Sequence, residues 1–98
     1  MREFMAIIRL PDEFTEDFVR LIPRQRAAIN LLMREGTIVA YSLSADRTML
    51  WVTIRANNKR EVREIIKSFP LYDYMKETIV ELMFHEQAST LIPELSLN

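Results

Sequence analysis

Ninety-eight residues, 49% hydrophobic and 28% charged, suit one globular domain (residues 1–98) with length for a single core but not for two. A formal net charge of −1 and a pI near 5.8 speak against a general nucleic-acid binder, which carries a basic surplus. The absence of cysteine removes disulfides, thiolate catalysis and cysteine-bound zinc, and one histidine, His85, leaves no His-rich metal site.

In chain order, the opening "MREFMAIIRLP" has an apolar run too short for a signal peptide, with Glu3 inside it. No stretch approaches the roughly 18 apolar residues of a membrane span. Together with the lack of cysteine, this predicts a soluble cytoplasmic protein without a membrane partner. "EFMAIIRL" is β-rich and closed by Pro11, so it reads as a strand, buried on both faces toward its middle.

"PDEFTEDF" carries helix-start chemistry, with Asp12 or Thr15 as N-cap and Glu16 and Asp17 in the first turn. A helix over about residues 13–34 places Phe14, Phe18, Leu21, Ala28 and Leu32 on one stripe, flanked by Ile22 and Ile29, at about 100° per residue. Pro23 should kink or split it. Gly36, the chain's only glycine, stands where a C-cap needs a residue tolerant of positive φ.

"TIVAYSLS" and "TMLWVTI" alternate and are joined by the polar "ADR", a hairpin pattern. "NNKREVREIIKSF" follows as a second helix, with Asn58 as N-cap, Glu61 near a capping-box position, and Val62, Ile65, Ile66 and Phe69 as its apolar stripe. Pro70 stops it. "FPLYDYM" is unexpectedly rich in rings for a connection. "ETIVELMFHE" alternates again, with Val80, Leu82 and Phe84 on one face and Ile79, Glu81, Met83 and His85 on the other.

The order β-α-β-β-α-β defines an α+β, ferredoxin-like fold with an antiparallel four-stranded sheet. Its helices cover one face only. Trp51, Tyr41 and Met83 make both faces too apolar for one to stay wet, so a second copy should cover the open face. Residues 87–98 form an apolar tail expected to pack on a neighbouring subunit. We therefore expect a homodimer or higher oligomer.

Gln25 is the most informative polar position. It projects at roughly 20° from Phe14, near the middle of the apolar stripe, where a polar group is costly unless hydrogen-bonded. Either it faces a ligand cavity between helix and sheet, or the Pro23 kink turns it out of the core. Arg20, Arg24 and Arg26 give the helix a basic side, which meets a carboxylate ligand or forms a solvated face paired with Glu13, Glu16 and Asp17. His85 has the side chain suited to proton transfer near neutrality, or is a structural histidine. Tyr72, Asp73 and Tyr74 offer polar tips at a pocket mouth, or rings as interface anchors. Trp51 reads as core or interface. An RNA-recognition domain shares this topology but needs paired aromatics on its middle strands, and these are lacking.

Three stretches together resemble the muconolactone δ-isomerase family: "LMREGT" at the end of the first helix, "FPLYDYM" before the last strand, and "ELMFH" ending in His85. The resemblance covers most of the chain. It implies subunits paired sheet to sheet as a dimeric α/β barrel, built into larger rings with the C-terminal tail binding subunits together. It also implies a proton shift along a small unsaturated lactone bearing a carboxylate, with no cofactor and no metal. The family's proton carrier is an acidic residue on the first helix, and counting back from "REG" lays its acidic pair on Arg24 and Gln25. This chain also reads "IVAYSLSAD" where the family carries histidine, tryptophan and arginine.

Glutamine cannot shuttle a proton near neutrality. His85, Tyr41 or Tyr74 would then supply the catalytic group, with Gln25, Arg24 and Tyr72 binding substrate. The alternative is a non-catalytic small-ligand-binding or assembly module on the same scaffold.

Overall fold

A computed structural model describes residues 1–88. Its elements run β1 (Arg2–Arg9), α1 (Glu16–Arg34), β2 (Ile38–Leu43), β3 (Met49–Ala56), α2 (Lys59–Lys67) and β4 (Lys76–Leu82), with a 3-10 turn at Tyr72–Tyr74. The strands form one antiparallel sheet in the order β2-β3-β1-β4, the ferredoxin-like arrangement expected from the element order. Among the described residues no helix is long and apolar enough to cross a membrane. Residues 89–98, most of the tail expected to pack on a neighbour, lie outside the described residues.

Alternation builds the core. Phe4, Ala6 and Ile8 of β1 and Leu50, Val52, Ile54 and Ala56 of β3 are buried, and they pack with Phe18 and Ile29 of α1 and Val62 and Ile66 of α2. Met5 and Ile7, on the opposite face of β1, are half-buried, so that strand alternates rather than being sealed on both sides. The open face also carries Trp51 and Val80, 37% and 45% exposed.

Local chemistry sets the helix ends. Thr15 caps α1, its Oγ1 accepting from the Phe18 N–H at 3.3 Å. The helix therefore starts three residues later than the pattern of apolar positions suggested. At its other end Gly36 adopts φ 80°, the Gly36 N–H bonds the Met33 carbonyl and the Thr37 N–H bonds the Leu32 carbonyl. Those are the paired bonds of a Schellman cap. Asn58 caps α2 by accepting from the Glu61 N–H at 2.9 Å, and the Glu61 carboxylate reaches back to the Asn57 N–H at 2.7 Å. The reciprocal bond thus falls one residue outside an ordinary capping box.

Two expectations change. α1 continues through Pro23 instead of splitting. Proline cannot donate to the carbonyl four residues back, but both Pro23 and Val19 are exposed, where water can satisfy that carbonyl. β4 ends at Leu82, which shares its register with Glu3. With β1 starting at Arg2, this register reaches no further than Met83; Met83 and Phe84 lie beyond the strand, 97% and 70% exposed, and His85 is not a strand residue.

Candidate functional site

α1 brings one buried polar side chain to the core. Phe18, Gln25 and Ile29 are its buried residues, spaced seven and four apart on one stripe. Gln25 is 3% exposed, so the helix does not turn it outward. Its Oε1 accepts a hydrogen bond from the Leu71 N–H at 3.1 Å. The "FPLYDYM" segment is thereby tied to α1, and Phe69, Leu71 and Met75 are buried in the chain's own core. The 3-10 turn within it is closed by the Tyr74 N–H on the Leu71 carbonyl and the Met75 N–H on the Tyr72 carbonyl, both 2.9 Å.

The other end of the Gln25 amide approaches Tyr41. A register shift between Ile38 and Ala40 marks a bulge in β2. Ile38 aligns with Ile54 and Tyr41 with Val52, so both lie on the helix-covered face although they are three residues apart. Tyr41 is 36% exposed, and the partial burial of its ring pushes the hydroxyl above its ordinary range, against a smaller opposing pull from Gln25 and the Arg26 charge. Gln25 Nε2 acts on the phenol as a donor does, yet it completes no hydrogen bond of ordinary geometry. The result is a neutral phenol beside an unused amide N–H and a guanidinium, a set of donors suited to an oxyanion.

The other sequence-selected residues are dispersed. Arg24 is exposed and lines a shallow groove with Asp17, Arg20 and Leu21. Arg20 pairs with Glu16 and Asp17 at 3.7 and 3.4 Å, but Arg24 and Arg26 have no such partner among the described residues. Tyr72 and Tyr74 are half-buried against the core, and Tyr74 makes an edge contact with Phe18 at 5.2 Å. His85 is half-buried, with Nε2 enclosed and without a hydrogen-bond partner among the described residues. No hydrogen bond or ion pair among the described residues joins His85 to Tyr41, Tyr74 or Gln25.

Gln25 lines none of five surface clefts among the described residues. One cleft, of about 460 Å³, opens where β1 ends and β4 begins, with Tyr74 in its wall between Asp73 and Met75. Its charged residues, Arg9, Asp12, Asp73 and Lys76, come from separated segments, and of these the sequence offered only Asp73 as a pocket residue. Arg26 belongs to the Tyr41 cluster rather than to a uniform basic face. Only the bulge reveals that, and no composition signal marks it.

The family model described as muconolactone delta-isomerase matches residues 4–88. No curated protein sequence matches the chain. Among solved structures, 5-chloro-2-hydroxyhydroquinone dehydrochlorinase (TftG) from Burkholderia phenoliruptrix AC1100, in complex with 2,5-dihydroxybenzoquinone, is similar with a TM-score of 0.51. It is 17% identical, and the match covers 88% of this chain and 97% of that one. At this identity the likeness concerns the fold.

Proposed function

The chain belongs to the muconolactone delta-isomerase family, and we propose that it catalyses a cofactor-free proton shift in a small unsaturated lactone or related carboxylate. The observation that carries this reading is the β2 bulge, which sets Tyr41 on the helix-covered face that also holds the buried Gln25 of α1. In an allylic shift a base removes a proton from one carbon, the electrons move onto the carbonyl oxygen, and the proton returns at the far carbon. The transition state places negative charge on that oxygen, where prearranged donors act most strongly.

Tyr41, whose hydroxyl partial burial pushes further above its ordinary range, donates to the oxygen, and the unused Gln25 N–H supports it. The Arg26 and Arg24 guanidiniums attract the substrate carboxylate. Tyr72 and Tyr74 contribute to the wall against which the substrate lies; His85, with an enclosed Nε2 that lacks a partner among the described residues, follows the far end of β4, so in this reading it is the proton carrier for the site of a second copy. The protein works as a cytoplasmic homo-oligomer paired across its open sheet face, a reading supported by the exposed Trp51 and Val80.

The test is turnover of muconolactone and related unsaturated lactones, followed by ultraviolet absorbance. Tyr41→Phe should lower kcat about 100-fold, as loss of one oxyanion donor does. His85→Gln should lower it by about the same factor or more, as loss of a general base does. If the wild type turns over none of these lactones and Gln25→Glu does not create activity, the isomerase reading falls.

A second reading, ligand binding or assembly without chemistry, is favoured by one specific contact. Gln25 stands where the family's acid maps, and its oxygen is already engaged by the Leu71 N–H. Saturable binding of these lactones without turnover would select it.

A further inference from the structure

We propose that the "FPLYDYM" segment is a positioning element of the site under α1: its Leu71 N–H fixes the Gln25 amide so that the nitrogen, and never the oxygen, faces Tyr41. The inference rests on the Tyr41 site as proposed above, but not on turnover there.

The segment is built with one backbone donor to spare. At the end of α2 the Ser68 N–H bonds the Glu64 and Ile65 carbonyls, and the Phe69 N–H bonds the Ile66 carbonyl. Pro70 has no N–H. The Tyr72, Tyr74 and Met75 N–H groups close onto the carbonyls of Phe69, Leu71 and Tyr72, each at 2.9 Å. By contrast the Leu71 N–H bonds outside the segment, and Leu71 is 5% exposed. An unpaired N–H at such a depth is costly, so it needs an acceptor from elsewhere. Gln25 Oε1 supplies it at 3.1 Å. The edge contact of Tyr74 with Phe18 ties the same turn to α1 a second time.

That one bond sets the polarity of the amide. The two ends of a glutamine amide are nearly equal in shape and its last torsion is broad, so a free amide can turn end for end. A backbone N–H can only donate, and it therefore selects the oxygen and sends Nε2 to the other side. There Nε2 is enclosed, without a hydrogen-bond partner among the described residues. The β2 bulge brings Tyr41 to that same helix-covered face. Burial raises the Tyr41 hydroxyl, and Gln25 offsets part of that rise, as a donor does and an acceptor would not.

Two substitutions change the atom that faces the phenol by independent routes. Gln25→Glu keeps one oxygen for the Leu71 N–H and puts a second oxygen where Nε2 stands. Replacing Leu71 by its α-hydroxy analogue exchanges the N–H for an ester oxygen, which turns the amide nitrogen towards residue 71. Each change presents an acceptor to Tyr41 and holds its proton more tightly. NMR of full-length protein labelled at the tyrosine Cζ should show Tyr41 titrating at higher pH in both variants than in wild type. A contact with a structural role alone would lower stability and leave that titration where it was. The wild type should also show a scalar coupling across the hydrogen bond, from the Leu71 nitrogen to the Gln25 carboxamide carbon. Should the ester variant fail to fold, Gln25→Glu decides alone. An unmoved Tyr41 titration in folded Gln25→Glu, or a missing coupling in the wild type, would overturn the proposal. Neither readout needs turnover, so a protein inactive on lactones would lose the isomerase reading and leave this test intact.

Discussion

Gln25 shows how one side chain can carry structural and chemical roles at once. Its oxygen satisfies the Leu71 N–H in the buried layer, and its nitrogen is left facing Tyr41. Replacing it by leucine would keep the volume but leave the Leu71 N–H unpaired in an apolar setting. A buried orphan donor of this kind costs about 1–3 kcal/mol. Urea unfolding of Gln25→Leu should therefore show a lower midpoint with an unchanged slope. A variant as stable as wild type would mean that water reaches the freed amide. The sequence marked Gln25 as anomalous because a polar residue falls on an apolar stripe. It could not show the bond to Leu71, 46 residues away.

At the scale of elements, the β2–β3 hairpin depends on one exposed aspartate. Asp46 Oδ1 accepts from Ser44 Oγ at 2.7 Å, Thr48 Oγ1 at 2.7 Å and the Thr48 N–H at 3.0 Å. Ser44 Oγ in turn accepts from the Met49 N–H at 3.0 Å, and Arg47 takes φ 66° to complete the turn. Hydrogen bonding by Ser44 and Thr48 lowers the Asp46 pKa from 3.8 to about 2. Because the folded pKa is the lower one, the ionised carboxylate favours folding above pH 3.8, and that contribution fades as pH falls towards about 2.

Asp46→Asn should therefore be less stable than wild type at neutral pH, and the gap should narrow through that acid window. Chemical denaturation at a series of pH values measures it, and a gap independent of pH would contradict the assignment. The turn residues "ADR" announced a connection. The carboxylate's three-way engagement became visible only with the loop closed.

At the scale of the molecule, the helices cover one face of the sheet and leave Trp51 and Val80 exposed on the other. The proposed sheet-to-sheet pairing would bury that face, and a charge at its centre would oppose pairing by desolvation. Trp51→Glu should shift sedimentation from a dimer or larger species to a monomer while the circular-dichroism spectrum stays that of the fold. A wild-type monomer would remove the basis for the pairing.

The ring-rich "FPLYDYM" belongs to this scale too. Phe69, Leu71 and Met75 fill the chain's own core, so the segment first serves the subunit that contains it.

Sequence by itself determined the order of elements, the ferredoxin-like topology and the caps at Gly36 and Asn58, and it narrowed the first N-cap to Asp12 or Thr15. These follow from periodicity and from the backbone demands of Thr15, Gly36 and Asn58, which act within a few residues. Tertiary structure alone decided which polar groups meet. The β2 bulge turns Tyr41 to the helix side, the β1–β4 register sets Arg9 beside Lys76, and the same register ends β4 before His85. Each depends on pairing between distant segments, where a shift of one residue moves a side chain to the opposite face.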